Sequence, residues 1–110
     1  MEDFSVDVVE EAGGTVAHVR GEVDLVTCGL LRDAIEPYLG PRQTVILDLS
    51  DVTFMDSQML QFLVQARGRL TEDGGSLVLR NPSAAARRLL TVTEMSDLLD
   101  EESQRIADNE

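Results

Sequence analysis

The sequence predicts a single α/β domain: a mixed, mostly parallel sheet with an antiparallel N-terminal strand and helices on one face. Three observations predict it. Two strand-like alternations sit either side of Gly13-Gly14, which is the pattern of a hairpin. After them, segments of helical period alternate with short apolar runs, the order expected of parallel strands joined by right-handed crossovers. The chain has 110 residues, a length that suits one compact unit, and that unit is assigned to residues 3–108.

Phe4, Val6 and Val8 alternate with Ser5 and Asp7, so the first segment is a strand with one apolar face. Residues 15–21 form the second strand, with Ala17 and Val19 pointing one way. Across residues 25–39 the period changes, and Cys28, Leu31, Ile35 and Tyr38 fall on one helical stripe before Gly40-Pro41 stops it. Residues 45–49 are almost wholly apolar and predict a strand covered on both faces. A second helix is expected from about residue 57 to 72, ended by Gly74-Gly75. Residues 76–80 read as a further strand, and Pro82-Ser83 open a third helix through Leu90. The acidic end, residues 95–110, accommodates a strand fragment and a short helix.

Composition excludes several function classes. The net charge is −12, and all nine basic residues are Arg. Nucleic acid is therefore not an expected partner, because phosphate binding needs clustered positive charge. No apolar run approaches the ~20 residues that span a bilayer, so no membrane partner is expected. Residues 1–4 lack the basic and apolar regions of a signal peptide, and the lone Cys28 suits a reducing compartment. The expected location is cytoplasmic.

In open α/β sheets, functional groups gather beyond the carboxyl ends of the strands. Here that means Glu22-Val23-Asp24 and the expected loop over residues 51–56. If the second and third strands are neighbours, Asp24 lies near Asp56-Ser57. Ser57 stands where a strand becomes a helix. It reads either as an N-cap for the free N–H groups of the first turn or as a phosphoacceptor, tolerated there because a helix N-terminus favours an anion. A hydrolase using Asp24, Asp56 and Ser57 lacks a base and an oxyanion stabiliser. His18 sits mid-strand without neighbouring ligands, and Cys28 lies on an apolar stripe, so neither builds a metal or catalytic site. No cofactor is expected.

On the second helix, Gln58, Gln61, Gln65, Arg69 and Glu72 make a polar stripe, while Leu60, Leu63, Val64 and Leu70 supply the apolar side. Met59 and Phe62 fall between the two. They are either core residues at the boundary or a small exposed apolar patch beside Ser57.

The run from Val45 to Ser57, VILDLSDVTFMDS, resembles the signature of the STAS family in its bacterial anti-sigma factor antagonist branch. Gly21-Glu22-Val23-Asp24 resembles a second motif of that family. The segments Gly74-Gly75-Ser76-Leu77-Val78-Leu79, Pro82-Ser83 and Arg87-Arg88-Leu89-Leu90 follow in matching order. The resemblance implies a STAS fold and a non-enzymatic partner-switching protein. Unphosphorylated, such a protein binds an anti-sigma factor with kinase activity and frees a sigma factor, as in a stress response. The kinase phosphorylates Ser57, a phosphatase resets it, and Asp24, Asp56, Gln58, Met59 and Phe62 are the expected partner-binding residues. A scaffold or sensor domain that never uses Ser57 is the alternative. In relatives the acceptor Ser is followed by Ser or Thr and then Gly, where this chain has Gln58 and Met59.

Overall fold

The computed structural model describes residues 4–99. Strand β1 (Ser5–Glu11) turns through Ala12-Gly13 into β2 (Gly14–Val23) and pairs with it antiparallel, Val8 opposite Ala17. Gly14 adopts a φ of +142°, and a Cβ there would collide with the backbone carbonyl of Thr44. This turn needs glycine twice over, for its dihedral and for the close approach of the third strand. Helix α1 (Leu25–Ile35) follows. It ends at a 3₁₀ turn, Glu36–Tyr38, because Pro37 cannot donate the next helical hydrogen bond. Cys28, Leu31 and Ile35 are buried as the stripe predicts, with Tyr38 partly buried on the 3₁₀ turn.

Strand β3 (Thr44–Met55) is more than twice the length the sequence suggests. Residues 51–55, expected as loop, continue the strand parallel to β2. They do so through two register shifts, one between the pairs His18–Asp48 and Arg20–Asp51 and one between Gly21–Val52 and Glu22–Phe54. Each shift places one extra residue in β3, the arrangement of a β-bulge. The bulges break the alternation on which the sequence reading depended. Helix α2 (Ser57–Glu72), strand β4 (Ser76–Arg80) and helix α3 (Ala84–Val92) complete the order, with a 3₁₀ turn at Ser96–Leu98 and a single parallel bridge from Leu99 to Leu79. Between α2 and β4, Gly75 lies so close to the Gln43 backbone that no Cβ fits.

The sheet order is β1-β2-β3-β4, with β2, β3 and β4 parallel. Val19, Ala17, Val45, Leu47, Leu49, Leu77 and Leu79 share one face of the sheet. They form one core with Leu31 and Ile35 of α1, Met59, Phe62, Leu63 and Leu70 of α2, and Ala86 and Leu90 of α3. The three helices therefore cover a single face, as predicted. This corrects the expectation that residues 45–49 are covered on both faces. The other face carries a polar row, Asp7, His18, Asp48 and Arg80, one from each strand in register. Ile46 is only half-buried there, while Asp48 is 7% exposed. The expected domain limits, 3 and 108, lie outside the described residues, as does most of the acidic end.

Candidate functional site

Because β2 and β3 are neighbours and parallel, their carboxyl ends deliver two helices side by side. Val23 pairs with Met55, and the Asp56 N–H donates to the Val23 carbonyl at 3.3 Å. Asp24 and Asp56 are thereby brought together, each as the N-cap of the helix that follows. Asp24 Oδ1 accepts from the N–H groups of Val26 and Thr27, both at 3.0 Å. Thr27 Oγ1 accepts from the Asp24 N–H at 2.9 Å and donates to the Glu22 carbonyl at 2.6 Å, closing a capping box. Hydrogen bonds from the Thr27 backbone and side chain, with a lesser one from Val26, hold the Asp24 carboxyl below its ordinary pKa of 3.8 against a smaller upward push from burial. Asp56 Oδ1 accepts from the Gln58 N–H at 2.9 Å and caps α2.

Ser57 is not the cap. It is the first residue inside α2, exposed, and among the described residues its hydroxyl has no hydrogen-bond partner. The capping reading of Ser57 is corrected by one position: Asp56 reaches the free N–H, because only the residue with extended backbone before the helix (φ −122°, ψ −167°) aims its side chain at them. The Ser57 hydroxyl is left facing solvent.

Gln58 is half-buried and its carbonyl lies 3.6 Å from Cys28 Sγ, a second tie between the two first turns. Cys28 itself is buried, and that desolvation pushes its thiol pKa up, away from reactivity. Met59 and Phe62 are 0% and 2% exposed. Of the two readings of Met59 and Phe62 the core one holds, and the exposed patch, with the partner contact expected of it, is corrected: the face of α2 that packs on the sheet is centred on Met59, Leu63, Ala66 and Leu70, with Phe62 at its edge beneath the Arg32 guanidinium (5.8 Å from the ring centre). Val64, assigned to the apolar side, points to solvent at 58% exposure.

Exposed apolar residues do occur on the first turn of α1. Leu25 and Val26, directly after the Asp24 cap, are 71% and 75% exposed. Sequence reasoning passed over them, although two apolar residues on the solvent side of a capped first turn were a usable signal. The turns Leu25-Val26-Thr27-Cys28 and Ser57-Gln58-Met59-Leu60 carry no charge. The first turns of α1 and α2 are thus uncharged, each directly preceded by its capping carboxylate, Asp24 or Asp56.

His18 lies on the open sheet face, its Nε2 2.8 Å from Asp51 Oδ2, and so offers Ser57 no base. Nearby, burial is the largest influence on Asp48 and raises its pKa. Hydrogen bonds from Ser50 and Asn81, together with His18, outweigh it and leave the pKa lowered. Among the described residues no group of three or more His, Cys, Asp or Glu is placed to hold a metal ion, and no helix is long and apolar enough to cross a membrane. Clefts of about 630 Å³ beside Arg20, Ser50 and Ser83, and of about 340 Å³ beside Arg32, Phe62 and Arg69, both lie away from Ser57.

Comparison with known proteins bears on this geometry. The family model described as "Mlab, STAS domain" matches residues 6–100. The chain belongs to the STAS domain family. Within it, the chain is 30% identical over 98 residues to the anti-sigma-B factor antagonist of Bacillus subtilis, covering 89% of this chain and 90% of that protein. It is 34% identical over 83 residues to the anti-sigma-B factor antagonist of Listeria monocytogenes, covering 74% and 73% of the two chains. Among solved structures, an anti-sigma factor antagonist from Mycobacterium paratuberculosis superposes with a TM-score of 0.74 at 26% identity, over 98% of this chain and 96% of that one. The four-stranded mixed sheet and three helices described above are thus those of a STAS domain. These relatives are regulators of sigma factors by their names.

Proposed function

We propose that this STAS domain is an anti-sigma factor antagonist switched at Ser57. Unphosphorylated, it binds an anti-sigma factor with kinase activity, and a sigma factor is released for transcription. The kinase supplies ATP and Mg²⁺. The Ser57 oxygen forms the new bond to the γ-phosphorus, ADP departs and the hydroxyl proton is lost; a phosphatase reverses the modification by hydrolysis.

The observation that carries this reading is the position of Ser57. Its hydroxyl is exposed and unbonded among the described residues, at the start of a helix whose capping is done by Asp56. The fold does not need that hydroxyl, so a partner enzyme can use it. A phosphoryl group there brings roughly −1.5 to −2 charges. The helix N-terminus tolerates the anion, so the domain stays folded. A partner seated on the uncharged first turns, however, meets a new charge between two carboxylates.

Calorimetric titration of a cognate anti-sigma factor tests this. Ser57→Asp weakens binding at least tenfold and Ser57→Ala binds within about threefold of the unchanged chain, the difference between adding charge and removing one exposed hydroxyl. Incubation with the same partner and Mg-ATP adds one phosphoryl mass to the chain and none to Ser57→Ala. Equal affinity of Ser57→Asp and the unchanged chain, with no mass gained, refutes the switch.

A further inference from the structure

Ser57 sets when a partner binds, but one hydroxyl does little to set which partner binds. We infer that the outward ridge of α2, from Ser57 through Gln61 and Val64 to Gly68, is the partner-selecting surface of this domain. It takes an anti-sigma factor that lays an uncharged helix along it. The inference rests on the reading of the domain as an anti-sigma factor antagonist.

The ridge and the switch share one helix face. Ser57, Gln61, Val64 and Gly68 are spaced four, three and four residues apart, so each is about one turn from the next and they stack on the same side. All four are exposed, and that side lies opposite Met59, Leu63, Ala66 and Leu70, which pack on the sheet. Gln61 therefore stands one turn from Ser57, and at about 1.5 Å per residue Gly68 lies about 16 Å along the axis. A standard interface of ~800 Å² per partner, centred on Ser57, has a radius of about 16 Å. A kinase that closes over the Ser57 oxygen thus covers Gln61 and Val64 and reaches Gly68.

The chemistry of the ridge fixes that of its partner. In a chain whose residues are 27% charged, none of these four positions carries a charge. Arg67 and Arg69, near the far end, are each held by a carboxylate of this chain, Asp97 at 3.3 Å and Glu36 at 2.8 Å. Alternating steps of four and three are the spacing by which one helix meets another along a continuous seam. Gly68 lies in the interior of α2, where glycine weakens a helix, yet a Cβ there would meet nothing within 4 Å. Packing within this chain does not require that glycine, whereas a second backbone approaching the ridge gains room from it. The Gln61 carboxamide both donates and accepts hydrogen bonds. A charged group seated against it and Val64 would lose its water without gaining a counter-charge. A second copy of this chain is a poorer occupant, because it brings another net charge of −12 against the first.

The test titrates purified anti-sigma factors of the same organism with four forms of the unphosphorylated chain. Val64→Ser is expected to bind about fivefold more weakly than the unchanged chain, with a smaller negative heat-capacity change, the mark of less apolar burial. Its melting temperature should be unaltered, since the side chain is 58% exposed. Gly68→Gln is expected to melt higher and yet bind at least about tenfold more weakly, a pair of effects that loss of folding cannot produce. Val9→Ser, on the sheet face that no helix covers and 53% exposed, should change neither. If Val64→Ser and Gly68→Gln stay folded and keep their affinity while Ser57→Asp loses it, the ridge is not used and the inference fails while the proposed function stands. If the unchanged chain alone doubles in mass on sedimentation and Gly68→Gln does not, the ridge belongs to a second copy and the inference is overturned. If no anti-sigma factor binds the unchanged chain, the proposed function fails and the inference falls with it.

Discussion

Asp24 and Asp56 perform one task on neighbouring helices, and the second of them explains why Ser57 is left free. The Asp56 carboxylate occupies the Gln58 N–H that a capping serine hydroxyl would otherwise accept from. Asp56→Ala should lower stability by about 1 kcal/mol, the usual worth of an N-cap, as read from urea unfolding. Protonation offers a second measurement. The Asp24 and Asp48 carboxyls are both held below the ordinary 3.8, so between the lowered and ordinary values the unfolded chain binds more protons than the folded one. Their contribution to stability is therefore fully present above about pH 5 and declines as pH falls through 3.8 and then through the lowered folded values. Asp48→Asn, which keeps the size of the side chain, should shrink the stability lost between about pH 5 and pH 3. Unfolding midpoints measured across that range check it, and an unchanged slope would mean that the Ser50 and Asn81 hydrogen bonds do not stabilise the carboxylate.

At the scale of the element, α2 shows how an apolar arc can be wider than the surface it buries. Residues 59–64 include five apolar side chains, but the sheet covers only the side centred on Met59, Leu63, Ala66 and Leu70. Met59→Ala should therefore cost about 2–5 kcal/mol, because it opens a cavity in the core. Val64→Ser should stay within about 0.5 kcal/mol of the unchanged chain. Chemical denaturation of both variants compares them directly, and similar losses would contradict the packing described. The same measurement separates Met59 from a docking role: its truncation should act through the fold, with melting and binding lost together. Strand β3 makes a related point, since its two bulges turn the chain so that Val52 and Met55 face the core and Asp56 emerges beside the Val23 carbonyl.

For the molecule as a whole, net charge opposes compaction. With 21 acidic residues against nine Arg, self-repulsion is screened as salt is added. The exposed ion pairs, such as Arg69–Glu36 at 2.8 Å, are worth little each, so their weakening should not cancel that gain. The melting temperature is expected to rise between about 50 mM and about 500 mM NaCl, a range over which the Debye length falls through ~10 Å; a fall would place the ion pairs above the repulsion. The sequence by itself determined the element order, the hairpin, the boundaries of α2 and β4, the burial of Cys28 and the nearness of Asp24 to Asp56-Ser57. Each of these follows from local signals: alternation, helical period, glycine stops, and the rule that a crossover joins neighbouring strands. Only the tertiary structure decided that Asp56 rather than Ser57 caps α2, that β3 runs on through two bulges, that Met59 and Phe62 are core, and that Leu25 and Val26 are surface. Those outcomes depend on which side of each helix meets the sheet, and a helical pattern gives the width of an apolar arc without saying which part of it another element will cover.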